Sequence, residues 1–157
     1  MLFGRLLVLF VALGSTLMGG PVRDGGTLDG FTIGWIPAGV GAQVADFPYE
    51  WEDVSFVSRV WEREVDGVSQ VDLKIAVMRG PRLATLADLR AFLAEYHEHD
   101  PGAWRLDEFQ NGGSRGFITE SEAFWVSSAG VGVSVRIPSG GVTREELYRT
   151  AVSIRPT

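Results

Sequence analysis

Three short runs carry side chains able to do chemistry. His97-Glu98-His99-Asp100 gathers two imidazoles and two carboxylates, the groups that ligate zinc or move protons. On a helix, positions i and i+2 point to different sides, and the His-Glu-x-x-His spacing is missing. Both imidazoles are therefore expected to solvate a helix C-terminus, where positive charge suits the dipole. Gly112-x-Ser114-x-Gly116 matches a nucleophile elbow, a motif that needs a strand-to-helix turn with an acid and a His following the serine. Here both histidines precede Ser114, and a Gly-rich hairpin turn is the plainer reading. Glu50, Glu52 and Asp53 surround Trp51. They lack the Asp-x-Asp-x-Asp-Gly order of a calcium loop and read as a solvated acidic loop.

The elements around these runs are mostly strands. Asp66-Gly67 is a preferred two-residue type I′ turn and joins Val54–Glu64 to Val68–Met78 in a hairpin. If Val65 faces Val68, then Leu73 lies beside Val60 and Val77 beside Phe56. Val71, Leu73, Ile75 and Val77 then share one face, while Arg59, Trp61 and Arg63 take the other. A second hairpin spans Glu122 to Ile137 and turns near Ala129-Gly130. With Ser128 opposite Val131, Phe124 and Val126 join the aliphatic face and Trp125 leaves it. Trp61, Trp125, Arg59, Arg63 and Arg136 thus form the candidate binding residues, an aromatic–arginine face of the kind that receives partners. Two plainer readings compete with it: a helix covering that face, or arginines stacking on exposed tryptophans.

Thr85-Leu-Ala-Asp88 opens a helix in capping-box style, with Leu86, Leu89, Phe92, Leu93 and Tyr96 as its buried stripe and Asp100-Pro101 as its end. Thr143-Arg-Glu-Glu146 caps a final helix with Leu147, Ala151 and Ile154 inward. Phe31–Ile36 reads as a first strand, Val40–Asp53 as a loop with a short strand, and Trp104–Phe109 as a further strand. The expected fold is α+β: an antiparallel sheet of two hairpins plus a first strand, with two helices packed on it.

The N-terminus carries an unbroken apolar octet, Leu6 to Leu13, after a lone Arg5. Leu6 to Gly20 falls short of the roughly 17–25 residues of a spanning helix and suits a signal peptide with cleavage after Gly14. A signal peptide and a short uncleaved membrane anchor stay open for residues 1–20. Either one sends the chain out of the cytoplasm, to be secreted or anchored at the cell membrane. Residues 21–30, rich in Gly and Asp, read as a flexible linker, and residues 31–157 as a single extracytoplasmic domain. The chain has no Cys, which removes disulfides, thiolate chemistry and lipid attachment through cysteine. A net charge of −6 without any basic run argues against nucleic-acid binding. No motif implies a cofactor or a metal.

Ile36-Pro37-Ala38-Gly39 after an opening strand resembles the Leu-Pro-x-Gly start of small bacterial extracytoplasmic domains of unknown function, some of them attached to anti-sigma factors and other membrane-tethered proteins. The Trp125 hairpin and the closing Glu145-Glu-Leu-Tyr-Arg-Thr-Ala-Val-Ser-Ile154 are similar to the end of such domains. The resemblance implies an extracytoplasmic α+β module and no established activity. The functional expectation is a non-enzymatic cell-envelope module that binds a protein partner or a small ligand. The alternatives are a small envelope hydrolase using carboxylates or Ser114, and a purely structural envelope domain.

Overall fold

The computed structural model describes residues 23–157; the readings for residues 1–20 lie outside them. The strands are β1 (Gly26–Leu28), β2 (Phe31–Ile33), β3 (Gln43–Trp51), β4 (Val54–Val65), β5 (Val68–Arg79), β6 (Asp107–Asn111), β7 (Ser114–Ile118), β8 (Glu122–Ser128), β9 (Val131–Arg136) and β10 (Ile154–Pro156). Helix α1 (Leu86–Tyr96) follows β5, and α2 (Arg144–Val152) follows β9. Both helices begin with the capping boxes expected at Thr85 and Thr143. The fold is α+β, with a layout richer than expected. Seven antiparallel strands form one sheet in the order β3-β4-β5-β9-β8-β7-β6, and β1-β2-β10 form a second, three-stranded sheet.

The strand inventory departs from expectation at its glycine- and acid-rich stretches. Residues 26–28, expected inside a linker, pair with β2 and bury Leu28. Gln43–Trp51, expected mainly as loop, is a nine-residue edge strand. Pro48, Asp46 and Glu50 hide it from a sequence reading, and such residues are common on edges because they discourage pairing with another chain.

Each face of the large sheet has its own apolar core. On one face α1 lays Leu89, Phe92 and Leu93 over Phe56, Met78 and Phe124. Gly132 makes room here, since a Cβ on it would lie 3.1 Å from both Leu89 methyls. On the other face Leu147 and Ala151 of α2 and Leu28, Phe31 and Ile33 of the small sheet cover Leu73, Ile75, Val77, Val133 and Val135. At roughly 25 cal/mol per Å² of apolar area, such two-sided burial is the main stabilising term for a chain without disulfides.

Register decides which residues reach which core. The tip of the β4–β5 hairpin pairs as expected, with Val65 opposite Val68 and Arg63 opposite Gln70. Beyond Glu62, which pairs with Val71, a bulge intervenes, and Leu73 pairs with Trp61 instead of the expected Val60. The extra residue is Asp72, and it is 1 % exposed. Its carboxylate accepts the Gly41 N–H at 2.7 Å, Arg63 Nε at 2.7 Å and the Ser139 hydroxyl at 3.1 Å. Gly41 approaches so closely that a Cβ would lie 1.9 Å from the Glu62 carbonyl oxygen. Arg63 also donates to the Gly39 carbonyl, and Arg23 to the Val40 carbonyl at 3.0 Å. The bulge is thereby tied to the loop that precedes β3.

Burial by itself would raise the Asp72 carboxyl pKa; the bonds from Arg63, Gly41 and Ser139 outweigh it and lower the value. A carboxyl with a depressed folded-state pKa adds stability that is complete above the unfolded value of about 4 and is lost as pH falls through the folded value. Asp72→Asn should therefore flatten the acid limb of stability below about pH 4 in urea melts at graded pH. Asp72→Ala should cost about 2–3 kcal/mol near neutrality, toward the low end for a broken buried pair because Arg63 reaches solvent. An unchanged melt for both variants would show that the bulge does not depend on this carboxylate.

Candidate functional site

The expected aromatic–arginine face does not form an open surface. Trp61 and Trp125 are each 2 % exposed and lie in the core beneath α2 and the small sheet. The Asp72 bulge turns Trp61 to the side of Leu73, Ile75 and Val77. A second bulge, at Ser127, does the same for Trp125: Ser128 pairs with Val131 as expected, but Val126 pairs with Gly132 and Trp125 with Val133. Arg59 and Arg63 do share the Trp61 side of the sheet, and both are engaged. Arg59 binds Asp46 at 2.7 Å and the Gly25 carbonyl at 2.6 Å, while Arg63 holds Asp72. Arg136 points to the opposite face, where it meets Glu122 at 2.9 Å.

Ser114 stands at the end of a tight hairpin, opposite Asn111 across Gly112-Gly113, and not at a strand-to-helix turn. Gly116 of the same motif has a packing role. A Cβ there would lie 2.5 Å from the Phe109 ring, which crosses Gly116 to meet Trp125 edge-on at 6.1 Å. The hollow beside Ser114, lined among others by Asn111, Trp125 and Arg155, includes no histidine and no carboxylate. Glu52 and Asp53 form the exposed β3–β4 turn, both at positive φ. Trp51 leaves that acidic run and packs edge-on against Phe92 and Tyr96.

The chemistry-bearing side chains gather at the C-terminal end of α1. Lys74 of β5 pairs with Arg136 of β9, which pairs with Glu122 of β8. These charges form one row across the sheet, just past the apolar patch that α1 covers. His97, the C-cap of α1, is not a solvating residue. Its ring is buried, and Nε2 lies 2.7 Å from Glu122 Oε2. Arg136 Nε reaches the same oxygen off the hydrogen-bond axis, and Glu122 Oε1 has no partner among the described residues. Beside them Lys74 Nζ donates to the Tyr49 hydroxyl at 3.2 Å, which lies 2.9 Å from the Tyr96 hydroxyl. Burial and the bond with Tyr49 raise the Tyr96 pKa.

A cleft of about 650 Å³ adjoins this cluster. Glu122 and Arg136 lie on its wall, with His99, Trp104 and Arg105 from the segment after α1, Glu120 and Ser121 from the β7–β8 turn, and Arg144 from the first turn of α2. Trp104 stacks between Phe124 and His99, at ring distances of 5.4 and 4.7 Å, and so is fixed as an aromatic wall. Arg144 bonds Asp107 at 2.6 Å and approaches Glu120 at 3.7 Å. Arg105 is exposed and has no ion-pair partner among the described residues. The arrangement brings guanidinium donors, an imidazole and an aromatic surface into one concavity with three carboxylates, Asp107, Glu120 and Glu122. These engage Arg144 and Arg136 and leave Arg105 without an ion-pair partner among the described residues. Of the residues foreseen as a site, only Arg136 belongs to it. The cleft's other residues come from three separate segments, 99–107, 118–122 and the start of α2 at Arg144, and no local motif links these segments.

No known family, curated protein or solved structure matches this chain. Among the described residues, no helix is long and apolar enough to cross a membrane.

Four substitutions check these placements. Trp61→Ala and Trp125→Ala should each cost about 3–5 kcal/mol in chemical denaturation, as core truncations do. Loss of a binding activity at unchanged stability would return them to a surface role. Ser114→Ala should stay within about 0.5 kcal/mol of the parent, whereas Gly116→Ala should destabilise clearly by forcing Phe109 off Trp125.

Proposed function

We propose that the protein is a non-enzymatic binding module of the cell envelope, and that it takes a small anionic ligand in the cleft between the end of α1 and the start of α2. The observation that carries this reading is the convergence of Arg105, Arg136 and Arg144 with His99 and Trp104 around one concavity. Arginines recognise carboxylate and phosphate groups through paired donors, and an aromatic wall adds contact area at little entropic cost. The cell-envelope setting rests on the apolar leader and on the resemblance of Ile36–Gly39 and of the closing helix to extracytoplasmic domains.

A carboxylate hydrolase remains the second reading, because the same cleft brings Asp107, Glu120 and Glu122 together with His99 and Ser121. Binding is favoured over catalysis by how those acids are used. Arg144 engages Asp107 and approaches Glu120, and Glu122 serves Arg136 and His97. Such pairing suits a surface that recognises charge more than one that exchanges protons with a substrate.

Thermal melts with inorganic phosphate and succinate test the reading. A ligand present at ten times a millimolar Kd stabilises by about 1.4 kcal/mol, a rise of several degrees for a domain of this size. Arg105→Glu combined with Arg144→Glu should abolish the rise. An equal rise in that variant would place the anion elsewhere. Turnover of nitrophenyl esters or glycosides that Glu122→Gln removes would favour the hydrolase.

A further inference from the structure

A second hollow of about 320 Å³ continues from the cleft and differs from it in character. It lies between the edge strand β6 and α2; Phe109, Ile118 and Tyr148 supply its apolar surface, and Glu108 and Glu145 stand on its wall. The two hollows share Asp107, Ile118 and Arg144. The Arg144–Asp107 ion pair therefore stands where they meet, at 2.6 Å, with side chains 38 % and 72 % exposed. An ion pair so exposed holds together weakly and can exchange one anion for another. Tyr148 is 45 % exposed and its ring meets Phe109 edge-on at 6.1 Å, so it forms the open wall of a groove whose floor is the buried Phe109 and Ile118. Apolar surface continuous with a charged cleft fits a ligand that has both characters.

We propose that the ligand is a small amphiphile: an anionic head bound by Arg105 and Arg144 in the cleft, and an alkyl tail laid in the groove of Phe109, Ile118 and Tyr148. This rests on the anion-binding reading of the cleft and extends it. The head replaces the Asp107 carboxylate on Arg144, and breaking that bridge joins the two hollows into one bipartite site. The position of the pair at the junction makes Arg144 the residue that touches both parts of the ligand. Apolar burial then supplies affinity that the exposed arginines alone would not.

Calorimetric titration of the full chain with methyl, butyl and octyl phosphate, each below its micellar concentration, tests the proposal. Affinity should rise at least tenfold from methyl to octyl phosphate, and octyl glucoside, which lacks the anion, should bind at least tenfold more weakly than octyl phosphate. Tyr148→Ser, at an exposed position, should flatten the dependence on chain length while leaving methyl phosphate unchanged. Arg144→Gln should weaken all three phosphates. Equal affinity for methyl and octyl phosphate would overturn the amphiphile and leave the anion site standing. Absence of binding by all three phosphates would overturn both. A chain-length dependence that survives Tyr148→Ser, or octyl glucoside binding as tightly as octyl phosphate, would place the tail on some other apolar surface and overturn the bipartite site.

Discussion

The buried carboxylate of Asp72 is the constraint on which the rest of this structure depends. It sits as an extra residue in a central strand, where unpaired charge would be costly. Its partners come from three directions: Arg63 on the neighbouring strand, the Gly41 amide from the loop before β3, and Ser139 from the segment before α2. One ion thus fixes the pairing of β4 with β5, the approach of the Gly39–Gly41 loop and the return of the chain toward α2. Trp61 follows into the core. With Trp61 inward, the face beneath α2 and the small sheet is filled by an aromatic and an aliphatic layer together.

Both helices depend on that sheet but meet it differently. Helix α1 closes an aromatic core and ends over a row of charges, where His97 docks on Glu122. Helix α2 closes the other core and sends Arg144 from its first turn toward Asp107 and Glu120. The cleft is the gap left between these two helix ends at one end of the sheet. Its polarity follows from its position. It begins where the apolar patches stop, so charged side chains that the cores exclude collect there with one another.

Local signals were legible in the sequence, and distant ones were not. The Asp66-Gly67 turn and both capping boxes form as expected, because each depends on a few neighbouring residues. The alternation of Leu73, Ile75 and Val77 also places one face correctly. What alternation cannot show is an inserted residue, and for that reason both tryptophans face the core from which the pattern turns them away. Asp72 did leave one trace, a carboxylate inside an otherwise well-formed strand, although its partners at Gly41 and Ser139 gave no hint of it. The edge strand β3 escaped because the prolines and acids that protect an edge are also the residues of loops. The cleft was invisible for a different reason. Trp104, Glu120, Glu122 and Arg144 meet only after the chain has run through four strands, β6 to β9.

The two bulges also act as a frameshift in burial. A strand has two possible readings, odd residues inward or even residues inward, and one added residue switches the chain from the first to the second. Asp72 and Ser127 each make such a switch, and together they bring the two tryptophans to the same side. Relatives that lack either residue would have to bury the other set of side chains over the affected segment. Sequence similarity across these strands would then fade even where the fold persisted, because matching positions would no longer face the same core.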